Sequence, residues 1–162
     1  MKFNTYAKAH YDWVEEMGWH NKPLLVTIAM IGSEIGEVAA EVLQPLIQND
    51  KLGEELADVC LRIIDLMYSH GFDIDASVNK NKGNITWQSV SHDGDILELM
   101  VDYGHLVNSA RYDTLDEKFE FYLSSILYRV VNIAEHMNID LENCIVSKMD
   151  KNKKVGSKGR KV

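Results

Sequence analysis

A chain of 162 residues with 46% apolar and 26% charged side chains can bury roughly two-thirds of its unfolded surface, so it needs neither disulfides nor structural zinc to fold. Two prolines, ten glycines and the absence of any low-complexity tract exclude a disordered or collagen-like chain. The formal charge of −8 conceals an asymmetry: Lys148, Lys151, Lys153, Lys154, Lys158, Arg160 and Lys161 all lie in the last fifteen residues, and the body before them is strongly acidic. Such a body argues against a nucleic-acid partner, and its carboxylates need water or a bound cation around them.

Apolar residues recur at three- and four-residue spacing, which predicts an all-α helical bundle, read as one domain over 1–162. Helices are expected near 5–17, 23–44, 51–69, 74–82, 94–111, 115–137 and 141–152. Gly18 and Gly71 suit the left-handed conformation that ends a helix, and Pro23 suits a first helical turn. Pro45 stops or kinks the second helix, and Thr114 with Glu117 reads as a capping box. No apolar run is long enough to span a membrane and no signal peptide opens the chain, so a cytoplasmic location and no membrane partner are expected. Cys60 and Cys144 sit among apolar residues without a CxxC partner and read as packing residues. Trp13 is assigned to packing and His70 to a helix C-terminus, while His92, His105 and His136 share no spacing that would bind a metal.

Residues 73–84 (DIDASVNKNKGN) and 140–152 (DLENCIVSKMDKN) share an acidic start, a short apolar helix and a Lys followed four residues later by Asn. Met30 aligns with Met100 and Arg62 with Arg129. A degenerate tandem duplication of a helical hairpin follows as an expectation: residues 1–84 as the catalytic half, 93–152 as a degenerate second half, 83–94 as the connector and 153–162 as a basic tail. An ungapped alignment sets Glu34 on Gly104 and Glu37 on Val107, which leaves one site per chain.

The informative stretch is SEIGEVAAE followed by GEELAD. Glu34, Glu37 and Glu41 fall within an arc of about 60° on one helix, beside a core face of Ile31, Ile35, Val38 and Val42. Glu55, Asp58, Arg62 and Asp65 share a face of the next helix, while Leu52, Leu56, Val59, Ile63 and Met67 occupy another. A short connection makes the two helices antiparallel and brings the stripes together. Gly32 and Gly36 flank Glu34 at about 1 kcal/mol each relative to Ala, which points to a close approach there. Four converging carboxylates repel one another unless a cation joins them. An all-oxygen set favours Mg²⁺, with Mn²⁺ as a substitute and zinc disfavoured.

These residues resemble the signature of the all-helical nucleoside triphosphate pyrophosphohydrolases of the MazG-like type, a group that includes dCTP pyrophosphatases and dimeric dUTPases. The signature, Glu-Glu-x-x-Glu then Glu-x-x-Asp, reads here as Ser33-Glu34-Ile35-Gly36-Glu37, seventeen residues, then Glu55-Leu56-Ala57-Asp58. The resemblance implies that Glu34, Glu37, Glu55 and Asp58 ligate Mg²⁺ and carry catalysis. Water would attack the α-phosphorus of a (d)NTP, giving the monophosphate and pyrophosphate, with dCTP or dUTP as candidate substrates in nucleotide-pool control. Ser33 replaces the first Glu, and with it goes the carboxylate which that position would offer to activate water. The stretch PLLVTIAMIGSEIGE, His10 and Trp19 resemble the dCTP pyrophosphatase subgroup, where a His and a Trp contact the base, and SKMDKN resembles its closing segment. The resemblance also implies a homodimer or higher homo-oligomer.

Lys80 and Asn84, with Lys148 and Asn152 as the equivalent pair in the second half, are candidates for phosphate or sugar contacts, against the alternative of ordinary exposed helix ends. Two further functions stay open: a phosphoribosyl-ATP pyrophosphatase-like enzyme, and a non-catalytic helical interaction or regulatory protein whose acidic stripe faces solvent. A ferritin-like di-iron protein is excluded, because no Glu-x-x-His motif occurs.

Overall fold

A computed structural model describes residues 1–84, 92–111 and 117–156, except for the side chains of 83, 84, 92, 155 and 156. Within them the chain is all-helical: α1 (Phe3–Glu16), α2 (Leu24–Val42), α3 (Asn49–Ser69), α4 (Ile74–Asn84), α5 (His92–Arg111), α6 (Glu117–His136) and α7 (Leu141–Gly156). No helix among the described residues is long and apolar enough to cross a membrane.

The helices end for local chemical reasons. Gly18 and Gly71 take φ of +70° and +74°, and the next residues, Trp19 and Phe72, bond back to Val14 and Met67 at 3.1 Å each. α6 ends in the same way at Asn138, φ 53°, with Ile139 N–H on Ala134 O at 2.8 Å. Asp73 and Asp140 cap α4 and α7, their Oδ1 atoms accepting the N–H of Ala76 at 3.1 Å and of Asn143 at 3.0 Å. Pro23 stands just before α2, one position earlier than expected, and its carbonyl accepts the Val26 and Thr27 N–H groups. α2 ends at Val42, three residues before Pro45. The helical backbone of α7 runs through Gly156, so the first part of the expected basic tail belongs to a helix. Thr114 of the expected capping box, most of the 83–94 connector, Lys158, Arg160 and Lys161 lie outside the described residues.

α3 is the axis of the bundle. Eleven of its residues are buried, and it packs on α1, α2, α6 and α7 and touches the edge of α4. The core positions read from periodicity on α2 and α3 are all buried. α5 pairs with α6 as α2 pairs with α3, α4 lies on α6 as α7 lies on α3, and α2 meets α5. The parallel extends to single residues 67 positions apart. Arg62 reaches from α3 to α2 and Arg129 from α6 to α5, Gly71 and Asn138 end the long helices, and Asp73 and Asp140 open the short ones. On α4, Ser77 bonds Glu120 of α6 and Asn81 donates to Ser124 Oγ at 2.7 Å. On α7, Cys144 abuts Gly53 and Lys148 pairs with Asp58. Buried Asn81, rather than exposed Lys80, therefore holds the place of Lys148.

The close approach expected at Gly32 is made by a neighbouring helix. A Cβ there would lie 2.2 Å from the hydroxyl of Tyr103, which donates to Ile28 O at 3.2 Å. Gly36 has nothing within 4 Å of the same construction, so no contact accounts for that glycine. Gly32→Ala should push the Tyr103 ring from its seat and cost about 1–3 kcal/mol in a denaturant melt. In a Tyr103→Ala background the same change should cost much less, and an undiminished cost would remove Tyr103 as the cause.

Candidate functional site

α2 and α3 lie side by side and turn their acidic stripes toward each other. Glu34 and Glu37 of α2 and Glu55 of α3 each offer a carboxylate oxygen within 4.8 Å of the other two. Oxygen ligands on one octahedral Mg²⁺ lie about 3–4 Å apart, so modest rotations would gather these three on a single ion. The donor set, all carboxylate, fits a hard divalent cation.

Cations of the chain hold Glu34 of this group and its neighbours Asp58 and Glu54. Arg62 donates Nε and Nη2 to the same oxygen, Glu34 Oε1, at 3.1 and 3.0 Å. Asp58 is ion-paired with Lys148, whose Nζ is also 3.9 Å from Glu54 Oε2, and Lys151 holds Glu54 at 2.7 Å. Asp58 is thus beside the group but engaged outside it, and Glu41 takes no part in it. Glu37 and Glu55 have no cation partner among the described residues. Ser33 is exposed on α2.

Electrostatics follow this geometry. Burial, then the charge of Glu37, raises Glu55 above its ordinary 4.5, although Lys148 opposes the rise. Burial also raises Asp58 above 3.8 against the pull of Lys148. For Lys148 itself burial acts downward, but the bond to Asp58 and the charges of Glu55 and Glu54 prevail and raise it.

The residues proposed for base contact gather around Trp13, on α1 and just after it. His10 is 7% exposed, and burial, then the charges of Arg62, His20 and Lys153, lowers it to about 4, so it is neutral at pH 7. Its ring centroid is 5.7 Å from Trp13, against which half-buried Trp19 packs edge-on at 5.2 Å. Trp13 also lines a cavity of about 420 Å³ with Ala9, Asp12, Glu16, Met17 and Lys153. Lys148 and half-buried Asn152, one turn apart on α7, share the side of that helix that serves the first half. Exposed Lys80 sits on α4, which packs on α6, and the structure does not bring it to the carboxylates. The side chain of Asn84 lies outside the described residues. His70 donates Nδ1–H to Leu66 O at 2.8 Å at the end of α3, as its position implied.

Several charged residues of this region carry no expected role in the sequence. His20 Nδ1 is 2.6 Å from Glu15 and Nε2 is 3.0 Å from Asp65, with the ring stacked on Tyr11 at 4.3 Å. α5 carries Asp95, Glu98 and Asp102 at the same spacing as Glu34, Glu37 and Glu41, a pattern visible in the sequence. All three are engaged: Asp95 with His136 at 2.9 Å, Glu98 with Arg129, and Asp102 with Arg129 Nε at 3.1 Å and Ser125 Oγ at 2.6 Å. Asp102, not Gly104, meets Arg129 as Glu34 meets Arg62.

No family model, no curated protein and no solved structure matches the chain.

Two pH effects are expected. Burial opposes the charge on His20, but its bonds to Glu15 and Asp65 raise it above 6.5. Its stabilisation is complete below 6.5 and is lost as pH rises through the folded value, so Tm should fall over that window less in His20→Gln than in the wild type. Equal slopes would show that the pairs contribute nothing. Glu55 acts in the opposite sense: with a raised folded pKa, its ionisation destabilises the metal-free protein above that value and has no effect well below 4.5. With chelator at pH 7, E55Q should melt above the wild type and converge with it in acid, and a lower neutral Tm would contradict that origin.

Proposed function

We propose that the chain is a Mg²⁺-dependent nucleoside triphosphate pyrophosphohydrolase, hydrolysing a (d)NTP to the monophosphate and pyrophosphate, with Mn²⁺ able to replace Mg²⁺. The observation that carries the reading is the convergence of Glu34, Glu37 and Glu55 from two packed helices, with Glu55 raised by burial and by Glu37. Glu37 is exposed and Glu34 and Glu55 are half-buried, so water softens their repulsion and a cation would relieve what remains; phosphoryl chemistry needs charge neutralisation and positioning above all. Mg²⁺ bound there would neutralise the triphosphate and polarise the reacting phosphate. Arg62 holds one oxygen of Glu34, and the carboxylate has a second to offer a cation. Lys148, paired with Asp58 beside the group, and Asn152 one turn further along α7 would offer a cation and a paired donor and acceptor, which suit phosphate and sugar oxygens. Trp19 offers a π-face to a base, and neutral His10 offers a donor and an acceptor to its edge.

The same proposal includes descent from a duplicated hairpin, supported by the equivalent contacts 67 residues apart. The second half then keeps the shape and pairs its own acidic stripe with Arg129, His136 and Ser125, which leaves one substrate site per chain. The pairing of Glu34 and Asp58 with Arg62 and Lys148 favours a second reading, in which the stripe is a self-neutralised face of an interaction protein.

A screen of nucleoside triphosphates with Mg²⁺, scored for pyrophosphate against orthophosphate, separates the two. Pyrophosphate release that stops with chelator is expected, and E55Q should lower turnover by about two orders of magnitude or more. A fully active E55Q protein, or no turnover of any triphosphate, would sink the enzymatic reading.

A further inference from the structure

α2 and α5 pack side by side, and each turns an uncharged stripe away from the core. On α2, Val26, Ala29, Ser33, Gly36, Ala40 and Leu43 fall within an arc of about 100°, across the helix from its buried isoleucines and valines. On α5, Leu97, Met100, Val101 and Gly104 lie across from buried Leu99 and Leu106. Leu43 and Leu97 are 68% and 65% exposed, while Leu25, Val26, Met100 and Val101 lie between 44% and 52%. These six side chains leave on the order of 600 Å² of apolar surface open, at the upper end of what a monomer shows in one patch. With the small residues between them, the face approaches the roughly 800 Å² that each partner gives to a standard interface.

We propose that this face pairs with the same face of a second copy of the chain, around a two-fold axis that crosses α2 between Ser33 and Gly36. The order of residues along α2 selects that occupant. From Val26 to Leu43 the stripe advances by three, four, three, four and three residues, so it reads alike in both directions, with large ends and four small residues between them. Laid antiparallel on its own copy, it sets Val26 on Leu43, Ala29 on Ala40 and Ser33 on Gly36. The small residues let the two backbones approach, and the large ones close the ends. A Cβ built on Gly36 or Gly104 meets nothing within 4 Å, so both positions have room for the partner's helices. A lipid surface suits the face less well, because Glu37 and Glu41 run beside the stripe and anionic headgroups would repel them. The pairing is independent of what the acidic group binds.

Sedimentation equilibrium of the full chain tests the pairing. The wild type should be a dimer at about 50 μM. Ala40→Glu puts a charge opposite Ala29 twice in each dimer, and should weaken association by about a hundredfold or more while the far-ultraviolet circular dichroism stays unchanged. Ala29→Lys should do the same. Mixing the two monomeric variants should restore a dimer, because the introduced charges are opposite and meet across the two-fold axis. Leu97→Glu, on α5, should weaken the dimer as well, and it carries the test if an α2 variant fails to fold. A wild type still monomeric at about 100 μM overturns the proposal and leaves the face to a different partner, to lipid if that monomer sediments with phosphatidylcholine vesicles. A dimer untouched by Ala40→Glu and Leu97→Glu overturns the choice of face. Variants that do not recombine overturn the antiparallel pairing of Ala29 with Ala40.

Discussion

The structure depends on how one nearly encircled helix disposes of its charges. α3 buries eleven residues and yet carries Glu54, Glu55, Asp58, Arg62 and Asp65 along one side. A helix so enclosed cannot leave ionised groups to water alone, and an unpaired buried charge costs several kcal/mol, on the order of a domain's whole stability. Three of the segments packed around it therefore supply a countercharge as well. The α1–α2 loop brings His20 to Asp65, α2 brings Glu34 to Arg62, and α7 brings Lys148 and Lys151 to Asp58 and Glu54. Packing and charge pairing are specified together, so the bundle has a fixed register where apolar contacts alone would allow several.

The α5–α6 pair meets the same problem and gives each acid of its stripe a partner. Asp95, Glu98 and Asp102 face α6, are more deeply buried than their counterparts, and are matched by His136, Arg129 and Ser125. The α2–α3 pair is left with an excess. Arg62 answers one carboxylate where Arg129 answers two, and among the described residues Glu37 and Glu55 have no ion pair of their own, although the charge of Lys148 reaches Glu55. One framework thus holds both a finished and an unfinished version of the same electrostatic arrangement.

The architecture was legible because its signals are local. Periodicity placed the seven helices in order, and Gly18, Gly71 and Pro45 marked stops, since left-handed backbone and a missing N–H act within a few residues. Asn138 escaped notice because a non-Gly residue at positive φ is decided by what surrounds it. The convergence of Glu34, Glu37 and Glu55 was legible too, since helical spacing and a short connection suffice. The partners of the remaining acids were not. Lys148 lies 90 residues from Asp58 and Arg62 lies 28 from Glu34, and no period in the sequence encodes which long side chain crosses to which helix. Lys80 and Asn81 show the same limit: a shift of one residue exchanges an exposed lysine for a buried asparagine, and only packing fixes that register.

The excess of charge between α2 and α3 also bears on where function resides. A chain selected for stability alone has inexpensive remedies at hand, because α6 gives Asp95, Glu98 and Asp102 partners in His136, Arg129 and Ser125. Glu55 is instead kept partly buried, within reach of Glu37, and raised above its ordinary pKa by that burial and that neighbour. Proteins tolerate local conflicts of this kind chiefly where something outside the chain resolves them. On the metal-binding reading proposed above, a hard divalent cation would be that species, because it is positively charged and content with oxygen ligands.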